Sequence, residues 1–313
     1  MNIAVITSGG DSPGMNPCVA QIVKEATWRG YTVYGYKYGF LGIKDNVYDI
    51  LSPIDVQGWY KRGGTALGTG RFVELKERVW QEKLVKNLKD NQIDALIVIG
   101  GDGSFNGALK LHEVDSSVNV IGIPGTIDNN IYGSDFTIGF DTAINKQMAY
   151  IDDISDSAIS LPDRVFFVET LGAWDGYLTN SSVLMGMADF AVLVEKPLSN
   201  EEICQKVEKI LNSSDRNYVL VVFAEGAYQM FEAAEYVREK LNANVKCNLI
   251  GYSQRGGVPS ATDRIHAAGF AKYALKAIEQ GIQNKYVVLK NGKYVYMDIE
   301  CASRKKEFDW FEI

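Results

Sequence analysis

The sequence predicts an α/β protein whose sheets are mainly parallel, and three observations carry that prediction. Apolar, β-branched runs at 2–7, 93–99 and 118–123 each break abruptly into a polar turn containing glycine. Helical spacing follows the first two turns, giving repeated strand–turn–helix units of the kind that build parallel sheets. The alternation resumes after residue 160, and 313 residues suffice for about two domains of ~150 residues each.

Taken in order, the strand 2–7 runs into Gly9-Gly10-Asp11-Ser12-Pro13-Gly14-Met15-Asn16. Residues 18–29 then have helical periodicity and 32–38 read as a second strand. The first turn of this unit is therefore glycine-rich, at the place where an open parallel sheet holds its ligands. As a local feature it is a tight turn; paired glycines and a proline directly before a helix favour phosphate binding. Residues 62–72, Arg-Gly-Gly-Thr-Ala-Leu-Gly-Thr-Gly-Arg-Phe, form a glycine-dense loop that presents Arg71 to clamp a phosphate bidentately.

The stretch 93–107, Ile-Asp-Ala-Leu-Ile-Val-Ile-Gly-Gly-Asp-Gly-Ser-Phe-Asn-Gly, is the most informative. Its glycines let the backbone approach a ligand, and the helix expected over 105–112 turns its first amides outward. Asp102 would repel phosphate unless a divalent cation lay between them, which makes it a candidate Mg²⁺ partner. The spacing Gly101 to Gly107 is one residue too long for the dinucleotide fingerprint, and no P-loop pattern occurs anywhere.

The strand 118–123 ends in Pro124-Gly125-Thr126-Ile127-Asp128-Asn129-Asn130. In one parallel sheet the three turns share the carboxyl edge, where Gly10, Asp102, Thr126 and Asp128 meet in a cleft. Asp128 is the best candidate general base, a role worth ~10²–10⁴-fold in rate. By itself, a turn aspartate is more commonly an Asx-turn residue.

Beyond it, a polar helix over 141–158 leads to strands expected at 164–170, 190–195, 218–224 and 247–252. Ile203, Val207 and Leu211 mark a helix over 201–211. A strand-to-glycine junction at Tyr252-Ser-Gln254-Arg255-Gly-Gly257 precedes a helix over 262–279, with Thr262 or Asp263 as its cap. Residues 286–289 and 293–297, joined by Lys290-Asn291-Gly292, read as a hairpin.

Bulk properties narrow the function classes. With 46% apolar and 23% charged residues, the chain has the composition of a soluble globular protein. A net charge of −7 argues against a general nucleic-acid binder, so any phosphate site must be a local basic cluster. No apolar run approaches the ~20 residues of a membrane span. The opening residues lead straight into a strand without a basic n-region, so a cytoplasmic enzyme without a membrane partner is expected. Cys18, Cys204, Cys247 and Cys301 are scattered, indicating neither zinc nor a disulfide framework. His112 and His266 are the only histidines, and catalysis by histidine is not expected.

Together the segments 9–16, 62–72, 100–104, 124–129 and 254–257 resemble the bacterial 6-phosphofructokinase family over nearly the whole chain. Lipid and NAD kinases also use a Gly-Gly-Asp-Gly turn, but without the other four segments in this order. The resemblance implies two three-layer αβα domains with mainly parallel sheets and the active site in the cleft between them. The nucleotide-binding domain would be 1–140 plus 255–300, and the sugar-phosphate domain 141–254 plus 301–313. It further implies ATP-dependent phosphorylation of the 1-hydroxyl of fructose 6-phosphate, with Mg²⁺ as cofactor.

By the same resemblance, Gly10, Phe72, Asp102, Gly103, Ser104 and Gly107 serve the nucleotide, and Asp102 serves the metal. Asp128 is the base with Thr126 beside it, and Arg71 bridges donor phosphate and acceptor. Arg164, Leu171, Gly172, Glu225, Lys246, Tyr252 and Arg255 match sugar-phosphate ligands. Arg164 and Lys246 would reach a neighbouring subunit's site, implying an oligomer, usually a tetramer. Pyrophosphate-using relatives carry aspartate at the Gly103 position and lysine at the Gly125 position; the two glycines leave room for ATP.

The chain departs from the family pattern at several positions. Asn130 replaces an aspartate on the metal side, and Ala173 replaces an arginine near the transferred group. Lys246 and Tyr252 replace an arginine and a histidine on the sugar-phosphate side. Ala20, Lys24 and Pro53 replace arginines that hold allosteric effectors, so the usual effectors are not expected to act. Two other readings stay open on these residues: a kinase for a different sugar phosphate, and a catalytically weak regulatory relative that binds nucleotide or sugar phosphate.

Overall fold

The computed structural model describes residues 1–161, 164–213, 217–227 and 229–308. In chain order the elements are β1 (Asn2–Thr7), α1 (Met15–Trp28), β2 (Thr32–Tyr36), α2 (Phe40–Asp45), β3 (Tyr48–Leu51), α3 (Arg78–Asp90), β4 (Ala95–Gly100), α4 (Asp102–Val114), β5 (Asn119–Thr126), β6 (Ile138–Gly139) and α5 (Phe140–Ser160). They continue with β7 (Arg164–Thr170), α6 (Tyr177–Leu184), β8 (Phe190–Val192), α7 (Asn200–Leu211), β9 (Tyr218–Ala224), α8 (Met230–Leu241), β10 (Asn244–Leu249), α9 (Ala261–Glu279), β11 (Lys285–Lys290) and β12 (Lys293–Asp298).

Two compact units result. The first is Met1–Thr142 with Arg255–Glu307; the second is Ala143–Gln254 joined by the chain from Phe308. The sequence reading placed 301–307 with the second unit, but this segment packs in the first. Ile299 and Ala302 are buried there, Ile131 bridges Lys305, and the Lys306 ammonium donates to the Asn129 carbonyl at 2.8 Å.

In the first unit the strand order is β12-β11-β5-β4-β1-β2-β3, with β6 on β5. The pairs β5–β4, β4–β1, β1–β2 and β11–β5 are parallel, whereas β3 and β12 close the edges antiparallel. Side chains alternate across a strand, so both faces of this sheet are apolar. Ile3, Val5, Ile97, Ile99, Ile121 and Ile123 face α1 and α9, whereas Ala4, Ile6, Leu96, Val98 and Val120 face α3 and α4.

The second unit repeats the plan on a smaller sheet of order β10-β7-β9-β8, parallel throughout. Val165, Phe167, Val219, Val221 and Phe223 pack under α7 and α8. Phe166, Val168, Leu220 and Val222 pack against Ile151 and Ala158 of α5 and Val183 of α6. No helix among the described residues is long and apolar enough to cross a membrane.

Several boundaries differ from the sequence reading for local reasons. The 118–123 strand continues to Thr126, because Gly125 and Thr126 still pair with Ile138 and Gly139. The helix expected from 105 starts at Asp102. β10 spans Asn244–Leu249 rather than 247–252, and Tyr252 lies in the following 3-10 turn, Gly251–Arg255. The cap of α9 is Ser260, whose hydroxyl accepts from the Asp263 amide, and not Thr262 or Asp263.

Candidate active site

β1 is the point from which the chain turns first to β2 and later, by way of β4, to the other side. At such a reversal the crevice outside the strands' carboxyl ends is open to a ligand. The register Gly100↔Pro124, Ile99↔Thr7 and Gly125↔Ile138 aligns the ends of β1, β4, β5 and β6. The turns bearing Gly10, Asp102, Thr126 and Asp128 therefore emerge along one edge.

The first two turns are held together by their smallest residues. The Ser8 amide donates to the Ile99 carbonyl at 2.9 Å. A Cβ on Gly100 would lie 2.6 Å from both the Ser8 carbonyl and the Ser104 hydroxyl, so only glycine lets these segments approach. Gly9 adopts φ +87°, and its carbonyl accepts from Thr69 Oγ1 at 2.7 Å.

That bond is one of several that dock the glycine-dense loop onto the same edge. Thr7 Oγ1 lies 2.7 Å from Thr65 Oγ1 and donates to the Gly68 carbonyl at 2.8 Å. The fully buried Asn16 amide donates to the carbonyls of Arg62 and Gly63, and its oxygen accepts from the Ala66 amide at 2.6 Å. With its backbone so anchored, the loop carries Arg71 exposed on the surface, with no hydrogen bond or ion pair among the described residues. Phe72 packs edge-on against Trp80 beneath the Lys44 ammonium.

Asp102 and Gly103 lie in the open first turn of α4, and Ser104 is buried beneath them. Nothing lies within 4 Å of a Cβ built on Gly101 or Gly103, so there is open space beside the first turn of this helix. A Cβ built on Gly107 would meet Leu75 and Phe40 at 3.0–3.1 Å, so glycine there seats the helix against its neighbours. No cluster of three His, Cys, Asp or Glu able to hold a metal occurs among the described residues. A single exposed carboxylate beside an open helix start suits a cation held mainly by a nucleotide's phosphates, as Mg²⁺ commonly is.

Thr126 and Asp128 are half-buried, and Thr126 Oγ1 accepts from the Asp128 amide at 3.3 Å. The Thr126 carbonyl accepts from Thr137 Oγ1 at 2.7 Å, and the Asn129 carbonyl accepts from the Lys306 ammonium at 2.8 Å. Asp128 thus sits in a turn braced on both sides.

Arg255, read from the sequence with the sugar-phosphate group, lies in the first unit. Its Nη1 comes within 2.8 Å of a Cβ built on Gly10, and is 4.0 Å from Asp11 Oδ1. Asp11 was not singled out by sequence. The signal was available, because Gly9-Gly10-Asp11 repeats the Gly100-Gly101-Asp102 pattern at the end of a neighbouring strand.

In the second unit the candidates divide. Leu171 and Gly172 follow β7, Glu225 follows β9 and Tyr252 follows β10, all at the carboxyl edge. Burial, and secondarily the Glu225 carboxylate, push Glu169 above the usual carboxylate range at this edge. Arg164 opens β7, and Lys246 pairs at Phe166 in the amino-terminal half of β10. At ~3.3 Å per residue, Arg164 stands about 20 Å from the carboxyl edge. One copy of this unit does not bring all its candidates together.

The phosphofructokinase family profile matches residues 2–278. The chain is 36% identical to an ATP-dependent 6-phosphofructokinase of Sulfurihydrogenibium sp. (strain YO3AOP1), over 97% of this chain and 94% of that one. It is 38% identical to another from Photobacterium profundum, over 99% and 97% of the two chains. A solved phosphofructokinase from Saccharomyces cerevisiae superimposes with a TM-score of 0.87 at 29% identity, covering 96% of this chain and 45% of the yeast chain. Carrying that profile match and those near-complete alignments, the chain belongs to the phosphofructokinase family.

Proposed function

We propose that this protein transfers the γ-phosphoryl group of ATP to the 1-hydroxyl of fructose 6-phosphate, giving fructose 1,6-bisphosphate. The observation that carries the reading is the shared edge of β1, β4 and β5, where glycine-containing turns and the Asp128 carboxylate emerge from adjacent parallel strands. Family membership and the names of the bacterial relatives support the same substrates.

In this reading the amides around Gly10 and Gly103 cradle the donor phosphates, with Ser104 and Phe72 lining the nucleotide side. Asp102 would hold Mg²⁺, which when bound neutralises charge on those phosphates. Asp128, oriented through Thr126, accepts the hydroxyl proton as the acceptor oxygen attacks in line. Arg71 absorbs charge on the transferring group, where a preformed cation is most effective. Glu225, with Leu171 and Gly172, takes the sugar hydroxyls, whereas Arg164, Lys246, Tyr252 and Arg255 take the 6-phosphate. Because Arg164 stands so far from Glu225, a second copy of the chain would supply Arg164 and Lys246, making the active form an oligomer.

Asp128→Ala tests the mechanism: kcat with ATP and fructose 6-phosphate should fall ~10²–10⁴-fold with little change in either KM. Undiminished kcat would remove Asp128 as base. Lys246 and Tyr252 motivate a second acceptor as the alternative, and a panel of sugar phosphates ranked by kcat/KM separates the two.

A further inference from the structure

We propose that Gln147 and Gln254 form a buried relay that positions Leu171 and Gly172 for acceptor binding, both acting as positioning residues. The inference rests on reading the carboxyl edge of the second unit as the acceptor side. β7 ends at Thr170, so the Leu171 amide is buried just where the sheet ladder stops supplying acceptors. It donates instead to Gln254 Oε1 at 2.7 Å. Gln254 Nε2 donates to Gln147 Oε1 at 3.0 Å. Gln147 Nε2 then donates to the Leu178 carbonyl at 2.9 Å and to Ser182 Oγ at 2.5 Å.

Every bond in this chain runs the same way. Turning either amide over would set NH₂ against an N–H donor or oxygen against oxygen, so each has one allowed orientation. Both glutamines and Ser182 are fully buried, where an unmade bond is costly and a complete network rigidifies its members.

The relay ends on the groups assigned to the acceptor. Gly172 adopts φ +139°, and its carbonyl accepts from the Gly226 amide at 3.0 Å, tying the Glu225 turn to the same loop. A Cβ on Gly226 would lie 2.3 Å from the Ala173 carbonyl, so the two turns meet backbone to backbone. Gln254 follows Tyr252 and precedes Arg255 within one 3-10 turn. The Ile250 amide, donating to the Glu169 carbonyl at 3.0 Å, fixes the start of that turn against the end of β7. Leu171, Gly172, Glu225 and Tyr252 thus share one scaffold that neither glutamine could serve by touching the ligand.

Gln254→Leu strands a buried amide and risks failing to fold, so the working variants are Gln147→Ala and Gln147→Glu. In Gln147→Ala the KM for fructose 6-phosphate should rise about tenfold, while the KM for ATP stays within about twofold. Amide hydrogen exchange at Leu171 should quicken in the same protein. Gln147→Glu, which in its protonated form restores both acceptor and donor, should recover most of both losses. A fall in melting temperature with unmoved KM values, or with both KM values shifted alike, would overturn the proposal. If the unaltered protein does not phosphorylate fructose 6-phosphate at all, the activity reading fails separately. Leu171 exchange still decides the relay in that case: quickened exchange at unchanged melting temperature supports it, and unchanged exchange sinks it.

Discussion

The two units use one architecture differently. In the first, the candidate residues crowd one edge of a parallel sheet, on turns drawn together by glycines and by the Thr7 and Asn16 hydrogen bonds. In the second they occupy both ends of the sheet, with carboxylates at one end and Arg164 and Lys246 toward the other. A nucleotide's phosphates concentrate charge and suit a single nest of amides. A sugar phosphate has hydroxyls that want acceptors and a phosphate that wants cations, and in this unit Arg164 stands about 20 Å along β7 from the edge that carries Glu225. One chain therefore gathers the first group of candidates on a single edge and divides the second group between two ends of a sheet.

The strongest way to break this comparison is to mix two damaged proteins. Asp128→Ala lacks the base and Arg164→Ala lacks the cation proposed to serve another copy, so each alone should be deeply impaired, the former ~10²-fold or more. Dissociated and reassembled together, they should regain activity. A site combining Asp128 of one chain with Arg164 of the other is intact. Activity that never exceeds the sum of the separate proteins would place Arg164 within its own chain's chemistry.

The contrast also shows which features were legible in the letters. β7 and β9 lie at the bounds read from their apolar runs, and the hairpin was visible in Asn291-Gly292. The three turns of the donor edge were readable because glycine, proline and aspartate mark backbone geometry directly. The place of 301–307 was not legible because the segment is attached through the Ile131–Lys305 bridge, the buried Ala302, Arg304 over the Tyr132 ring and the Lys306 bond, none of which has a periodicity. The Gln147–Gln254 pairing was invisible for the same reason. A glutamine in a helix looks alike in solvent and in a core until its partner, over a hundred residues away, is in place.

Asp263 sharpens the comparison from the side of the connection between units. α5 begins in the first unit and continues into the second. Its start is held by the fully buried Asp263 carboxylate, which accepts from the Gly139 amide at 2.6 Å, the Thr142 amide at 2.8 Å and the Thr142 hydroxyl. Burial outweighs these bonds and pushes its pKa from 3.8 up to about 6, with Asp141 adding repulsion. The folded protein then binds the proton more tightly than the unfolded chain. This group's contribution is largest below pH 4 and is lost as pH rises to about 6, at most about 3 kcal/mol. Asp263→Asn should be less stable, because its amide nitrogen faces N–H donors. It should also lack that downward component, a difference in slope read from melting temperatures between pH 4 and 7. Parallel slopes in the two proteins would assign the pH response elsewhere.

The smallest effects come from two glycines at the donor edge that leave space by opposite means. At Gly103 nothing lies within 4 Å of a built Cβ, whereas at Gly125 the Cβ would come 2.9 Å from Ile99 Cγ2 and 3.2 Å from Met15 Cε. Gly103→Ala should therefore leave the melting temperature unchanged or raise it, since alanine favours a helix by up to about 1 kcal/mol over glycine. Gly125→Ala overpacks the core beneath Thr126 and should cost about 1–3 kcal/mol. Larger side chains extend the argument to the phosphoryl donor. Gly103→Asp should raise the KM for ATP in a protein that melts normally, because its carboxylate enters open space beside the phosphates. Gly125→Lys should lose stability first, because its stem must displace Ile99 or Met15 before the ammonium reaches any ligand. Equal melting temperatures for the two alanine variants would mean that the end of β5 gives way more easily than its close packing implies.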